Sequence, residues 1–139
     1  MKRILFAAMR VVGGLCLQMV GLLCAFQVLT LGGEFDQVEF GFVLLFFVIV
    51  SLAGVIGGVI GRLYVLPPTL LLFWLVWAAF ISLDQWPEIK LGEETYMDGV
   101  VERLLQIVIS SAALVGGIFA GERWARRLWP ASRVEAKLE

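Results

Sequence analysis

Few residues in this chain of 139 have the types and spacing for acid–base, nucleophilic or redox chemistry. Histidine and asparagine are absent altogether. That excludes His-ligated haem, the usual His-containing zinc and iron centres, and both the Ser-His-Asp and the Cys-His nucleophile arrangements. Cys16 and Cys24 sit inside one apolar run, where a thiol behaves as a small hydrophobe rather than as half of a disulfide framework. Carboxylates fall in loops, at helix ends or in the tail, and none lies at the middle of an apolar run, which argues against proton-coupled transport. Glu102 and Arg103 come nearest to being embedded; as sequence neighbours they point ~100° apart on a helix, so pairing with each other is not their expected role. The acidic segment Asp84–Asp98 lacks the Asp/Gly spacing of a calcium loop. No nucleophile–base pair can be assembled, and the sequence predicts neither an enzyme nor a cofactor.

The uncharged polar set is Gln18, Gln27, Ser51, Thr69, Ser82, Gln106, Ser110 and Ser111. Inside a bilayer such side chains hydrogen-bond across helices or back onto their own helix. Gln18 and Gln106 are the candidates for an interhelical or pore contact. Gln18, Ser51 and Ser110 would line a path for a dehydrated ion or water if they faced one channel.

Sixty per cent of the residues are hydrophobic and only 17% charged, with a mean hydropathy of +0.93. The apolar residues come in long blocks rather than amphipathic periods, so lipid is the expected solvent. Met1–Arg3 and the run behind it have the outline of a secretory signal peptide. The run nevertheless extends to Leu31, contains Arg10 and ends without an A-x-A site, so it is read as a retained span. The blocks predict an all-α membrane domain over residues 1–128, with four transmembrane helices at about 4–31, 40–63, 67–84 and 99–121, and a tail at 129–139. Gly32-Gly33 ends the first span, and Pro67-Pro68 suits the first turn of the third. Thr95-x-x-Asp98 resembles a capping box, so the fourth helix should begin near Tyr96, and it can continue unbroken to about Leu128.

Orientation follows from the basic residues. Lys2, Arg3, Arg10, Arg62, Arg123, Arg126, Arg127, Arg133 and Lys137 fall on one side of the predicted spans, and only Lys90 and Arg103 on the other. The positive-inside rule then puts both termini in the cytoplasm, as in a bacterial-type inner membrane. Arg123, Trp124, Arg126, Arg127 and Trp129 read as an interface anchor, with anionic lipids of the cytoplasmic leaflet as partners. Nothing suggests a nucleic-acid partner.

Two stretches of small residues dominate the spans. Ser51, Gly54, Gly58 and Gly61 share a helical face that Gly57 widens, and Ser110, Ala113, Gly117 and Gly121 form another. Such spacing lets helix backbones come close in lipid. Sliding the chain by 59 residues sets Ser51 on Ser110 and Gly57-Gly58 on Gly116-Gly117. Two readings fit this register: a parallel repeat of two helical hairpins, or coincidence within a restricted alphabet. The stretch GGVIGRLY is similar to a glycine-rich, Arg-containing segment of fluoride channels, but that family's pore asparagine has no counterpart here. The embedded first-helix glutamate of small multidrug-resistance exporters is absent too, so neither family is assigned.

The reading that results is a non-catalytic subunit or assembly factor. Its glycine faces would pack on another integral membrane protein or on a second copy. The alternative is a homo-oligomeric channel or small-solute transporter. A third arrangement, in which the two glycine faces pack on each other, would leave Phe and Leu to the lipid.

Overall fold

The computed structural model describes residues 2–31, 40–84 and 96–128, with the side chains of all of these except 2–4, 84 and 102. Every described element is helical: α1 (Lys2–Leu31), α2 (Phe40–Gly61), a one-turn 3-10 segment (Arg62–Val65), α3 (Leu66–Asp84) and α4 (Tyr96–Leu128). The acidic loop before α2, Trp86, Lys90, the Thr95 cap, Trp129 and the tail lie outside the described residues, as does the side chain of Glu102. Three stretches are long and apolar enough to cross a bilayer: Leu5–Leu31, Phe40–Leu83 and Arg103–Leu128. Large apolar side chains such as Phe6, Val20, Leu52, Leu75, Leu105 and Phe119 stay exposed on the outside of the bundle. Together these features fit an integral membrane protein whose outer surface is solvated by acyl chains.

Several boundaries differ from those the blocks suggest. The α-helical part of the second block stops at Gly61, four residues before the end of the turn that joins it to α3. Arg62, which opens that turn, has φ 56°, a left-handed value that an α-helix cannot contain. Beyond the turn, Pro67 and Pro68 occupy the first turn of α3, where their missing N–H groups have no intrahelical acceptor to lose. α4 instead has the limits expected of it, beginning at Tyr96 and continuing unbroken to Leu128, past the span itself at 99–121.

Contacts along the helices fix their directions. α1 and α2 are antiparallel: a Cβ on Gly21 would lie 2.9 Å from that of Ala53, and one on Gly14 would lie 3.2 Å from the Gly61 amide nitrogen. α2 and α4 are parallel, since Ser51 packs at Gly117 and Val55 at Gly121. α3 returns along the bundle, with Thr69 bonded to Gln18 near the end of α2 and Trp77 in ring contact with Phe46 near its start.

The interior is built from few side chains. Phe26 of α1, Phe46 of α2, and Phe73 and Trp77 of α3 form an aromatic cluster, with ring centroids 5.1 Å apart for Phe26–Trp77 and 5.5 Å for Phe26–Phe46. Edge-on geometry predominates in this cluster, the arrangement that the ring quadrupole favours. Leu22, Val50, Ile81, Leu114 and Ile118 complete the core.

Candidate functional site

The small residues of α2 do not form one face; they divide between two neighbours. Gly54 and Gly58 meet α4. A Cβ on Gly54 would sit 2.5 Å from the Leu114 carbonyl oxygen and 3.2 Å from Gly117 Cα, and one on Gly58 would overlap the Ile118 carbonyl. The relation is reciprocal, because a Cβ on Gly117 would overlap the Ser51 carbonyl and one on Gly121 the Val55 carbonyl. Each glycine therefore aims a Cα–H at a carbonyl of the opposite helix, a contact worth about 0.5–1 kcal/mol. The seam has a local two-fold character in which Gly54 answers Gly117 and Gly58 answers Gly121. The slide of 59 residues instead sets Gly58 on Gly117, so the register of the packing is not the register of the sequence match.

Ala53, Gly57 and Gly61 turn towards α1, against Gly21, Gln18 and Val11. The matching stripe on α1, Gly14, Gln18, Gly21 and Ala25, was available in the sequence as spacings of four, three and four. It escapes a search for clustered glycines because a glutamine interrupts it. On α4, Ser110 is fully buried and Ala113 half-buried, but neither provides the close approach to α2 that Gly117 and Gly121 do.

Gln18 is fully buried and packs its amide over Gly57, where any side chain would collide with it. Its Oε1 accepts a 2.6 Å hydrogen bond from the equally buried Thr69 hydroxyl, so α1, α2 and α3 meet at one polar contact. The Gln18 Nε2 group finds no acceptor among the described residues, and neither does the Trp77 indole N–H. Ser110 donates to the Gln106 carbonyl at 2.6 Å, one turn back on its own helix. That bond spends its only proton locally, and no bond links Ser51 or Ser110 to Gln18 among the described residues. Gln106 is half-buried, and its Oε1 has no donor among the described residues.

α3 is tied to α4 by polar contacts at the rim. The Trp74 indole donates to Ser111 Oγ at 3.1 Å, and the Tyr96 hydroxyl to the Ala78 carbonyl at 3.2 Å. Between these two bonds lies an open apolar groove of about 190 Å³ lined by Trp74, Trp77, Ile81, Tyr96, Val100 and Ile107.

Glu122 departs from the expectation that every carboxylate would be solvated: it lies inside α4 and is only 6% exposed. It is held there by Arg126 one turn on, whose Nη2 and Nε donate to Glu122 Oε1 at 2.7 and 3.2 Å. A carboxylate can enter such a position because the ion pair and its hydrogen bonds offset part of the desolvation. Arg123, Trp124 and Arg127 of the same turns are exposed. Arg103, one of the two charged residues that the sequence places nearest to being embedded, is 7% exposed.

Among the described residues no group of His, Cys, Asp or Glu has the geometry to hold a metal ion. What the arrangement does is hold backbones together and keep a few polar groups dry. No protein-family model matches the chain, and neither the curated proteins nor the solved structures give a match.

Proposed function

We propose that this is a non-catalytic subunit or assembly factor of a larger membrane complex, docking laterally on a transmembrane helix of another integral membrane protein. In this reading the chain crosses a bacterial-type inner membrane four times with both termini in the cytoplasm. The Arg62–Val65 turn then separates the second span from the third.

One observation carries the proposal. With Gly54, Gly58, Gly117 and Gly121 occupied by one another, a further small-residue stripe stays open on the outer face of α4. Ala112, Gly116 and Ala120 follow one another at helical spacing, all are exposed, and a Cβ on Gly116 would meet nothing within 4 Å. Small side chains at that interval favour a second helix over disordered acyl chains, because they allow backbone-level contact. The partner helix should present its own small or aliphatic residues there.

The test is co-purification of the tagged full-length chain from native membranes by gentle extraction, with intact assemblies weighed by mass spectrometry. A heteromeric complex that Gly116→Leu or Ala120→Leu dissolves, while the chain stays folded, supports the subunit reading. If the complex survives both variants, the α4 outer face is not the docking surface. A lone homo-oligomer lost with Gly116→Leu would mean that the stripe serves self-association, and ion flux in liposomes would then be the next measurement.

A further inference from the structure

Arg62 is the one described non-glycine residue with positive φ, at 56°. A Cβ makes that backbone region costly, and glycine is the residue that occupies it freely. Glycines flank the position on the N-terminal side, at 57, 58 and 61, yet the strained position itself carries the longest cationic side chain. A strained residue that a simpler one would replace without loss marks a side chain that is needed. The Arg62 side chain is half-buried: its Nε is itself buried with no acceptor among the described residues, and the rest of the side chain is partly open to the surroundings.

The surroundings say what kind of acceptor is missing. α1 is antiparallel to α2, and α2 parallel to α4, so the start of α1 and the ends of α2 and α4 share one end of the bundle. Arg10, Arg62, Arg123, Arg126 and Arg127 all lie at that end. The described carboxylate there, Glu122, is already engaged by Arg126. Arg10, Arg123 and Arg127 are exposed, and Trp124 is 57% exposed, on turns where α4 (~50 Å long at helical rise) outruns a ~30 Å hydrocarbon core. Guanidinium groups with open donors at headgroup depth, beside an amphipathic indole, match a phosphate diester carrying net negative charge.

We propose that the arginine-bearing end of the bundle binds the headgroup of an anionic phospholipid, with Arg62 as the fixed ligand and Arg123 and Arg127 as the surrounding cations. Arg62 presents its guanidinium from the turn between α2 and α3, whereas Arg123 and Arg127 add charge from the surface of α4. The proposal needs no protein partner and stands apart from the docking stripe on α4.

The experiment is native mass spectrometry of the full-length protein released from nanodiscs of equimolar phosphatidylglycerol and phosphatidylcholine with identical chains. The expected result is preferential retention of phosphatidylglycerol. Arg62→Gln should reduce that preference about five-fold, the equivalent of the ~1 kcal/mol that one basic residue contributes at an anionic surface. Arg62→Gly should reduce it equally while leaving the thermal midpoint in phosphatidylcholine unchanged or higher, since it relieves the backbone; a purely structural arginine would not give that split. Arg123→Gln/Arg127→Gln should weaken retention further, and Arg126→Gln least. Equal retention of the two lipids, or full preference in both Arg62 variants, would overturn the proposal. So would displacement of phosphatidylglycerol by millimolar inorganic phosphate, which would identify the site as one for a soluble anion.

Discussion

Along α2, helices meet by the absence of side chains. Gly54 and Gly58 on one side, and Gly57, Gly61 and Ala53 on the other, bring two neighbours to backbone distance. Around α3 the contact is made by side chains instead: Phe73 and Trp77 reach inward to Phe26 and Phe46, and three hydrogen bonds tie the helix at Thr69, Trp74 and Ala78. An open groove of about 190 Å³ remains beside it. The two regions respond differently to change. A backbone seam has nothing that can rotate out of the way, whereas an aromatic seat can rearrange rotamers and borders an open groove into which side chains can shift.

The largest expected effect lies in the seam. Gly58→Leu or Gly117→Leu places a side chain where the carbonyl of Ile118 or Ser51 stands, so the helices must separate. We expect a loss of about 3 kcal/mol or more, read from reversible unfolding in mixed micelles. Gly116→Leu, one residue from Gly117 but open to lipid, should cost less than about 1 kcal/mol, since it meets no neighbour. Similar costs for Gly116→Leu and Gly117→Leu would break the distinction drawn here.

Next comes the aromatic seat. Trp77→Ala empties the centre of the cluster and should cost about 3 kcal/mol, with the missing volume only partly recovered by collapse of α3. Trp77→Phe should cost less than the lost ring volume alone suggests, because it also removes an indole N–H that has no acceptor among the described residues.

A smaller effect separates the polar contact from the packing around it. Gln18→Leu, Thr69→Val and their combination form a double-mutant cycle whose coupling should be about 0.6 kcal/mol, the usual worth of an interhelical hydrogen bond in lipid. A coupling above about 2 kcal/mol would show that the bond, rather than the rings, seats α3. Smallest of all is filling the groove beside α3. Val100→Ile extends into the space between α3 and α4 and should stabilise by about 0.5 kcal/mol, seen as a slightly raised thermal midpoint.

Much of the fold was legible because lipid imposes its own grammar. Uninterrupted apolar blocks, the Pro67-Pro68 start and the gathering of the described arginines towards one end all follow from satisfying backbone groups and keeping charge out of hydrocarbon. That same solvent erases other signals. With apolar residues facing both neighbour and lipid, no hydrophobic period tells which side of α2 looks at which helix, and Ser51, Gly54, Gly57, Gly58 and Gly61 read as a single face. Glu122 falls in the last turns of a helix that the sequence lets run to about Leu128, but no spacing signal tells that its face is buried. The pairing with Arg126 that permits its burial is a feature of a helix continued to Leu128.

The sequence by itself determined an all-helical chain with stretches apolar enough to cross a membrane, the proline start of α3, the end at which the described arginines collect, and the chemistries that a chain without histidine cannot perform. The tertiary structure alone decided how the glycines of α2 divide between α1 and α4, that Gln18 meets Thr69 rather than Ser110, and that Arg62 is held at a strained turn. The reason is physical. Composition and spacing fix how closely a helix can be approached, but which helix approaches, and in which register, depends on the summed fit of all the neighbours at once.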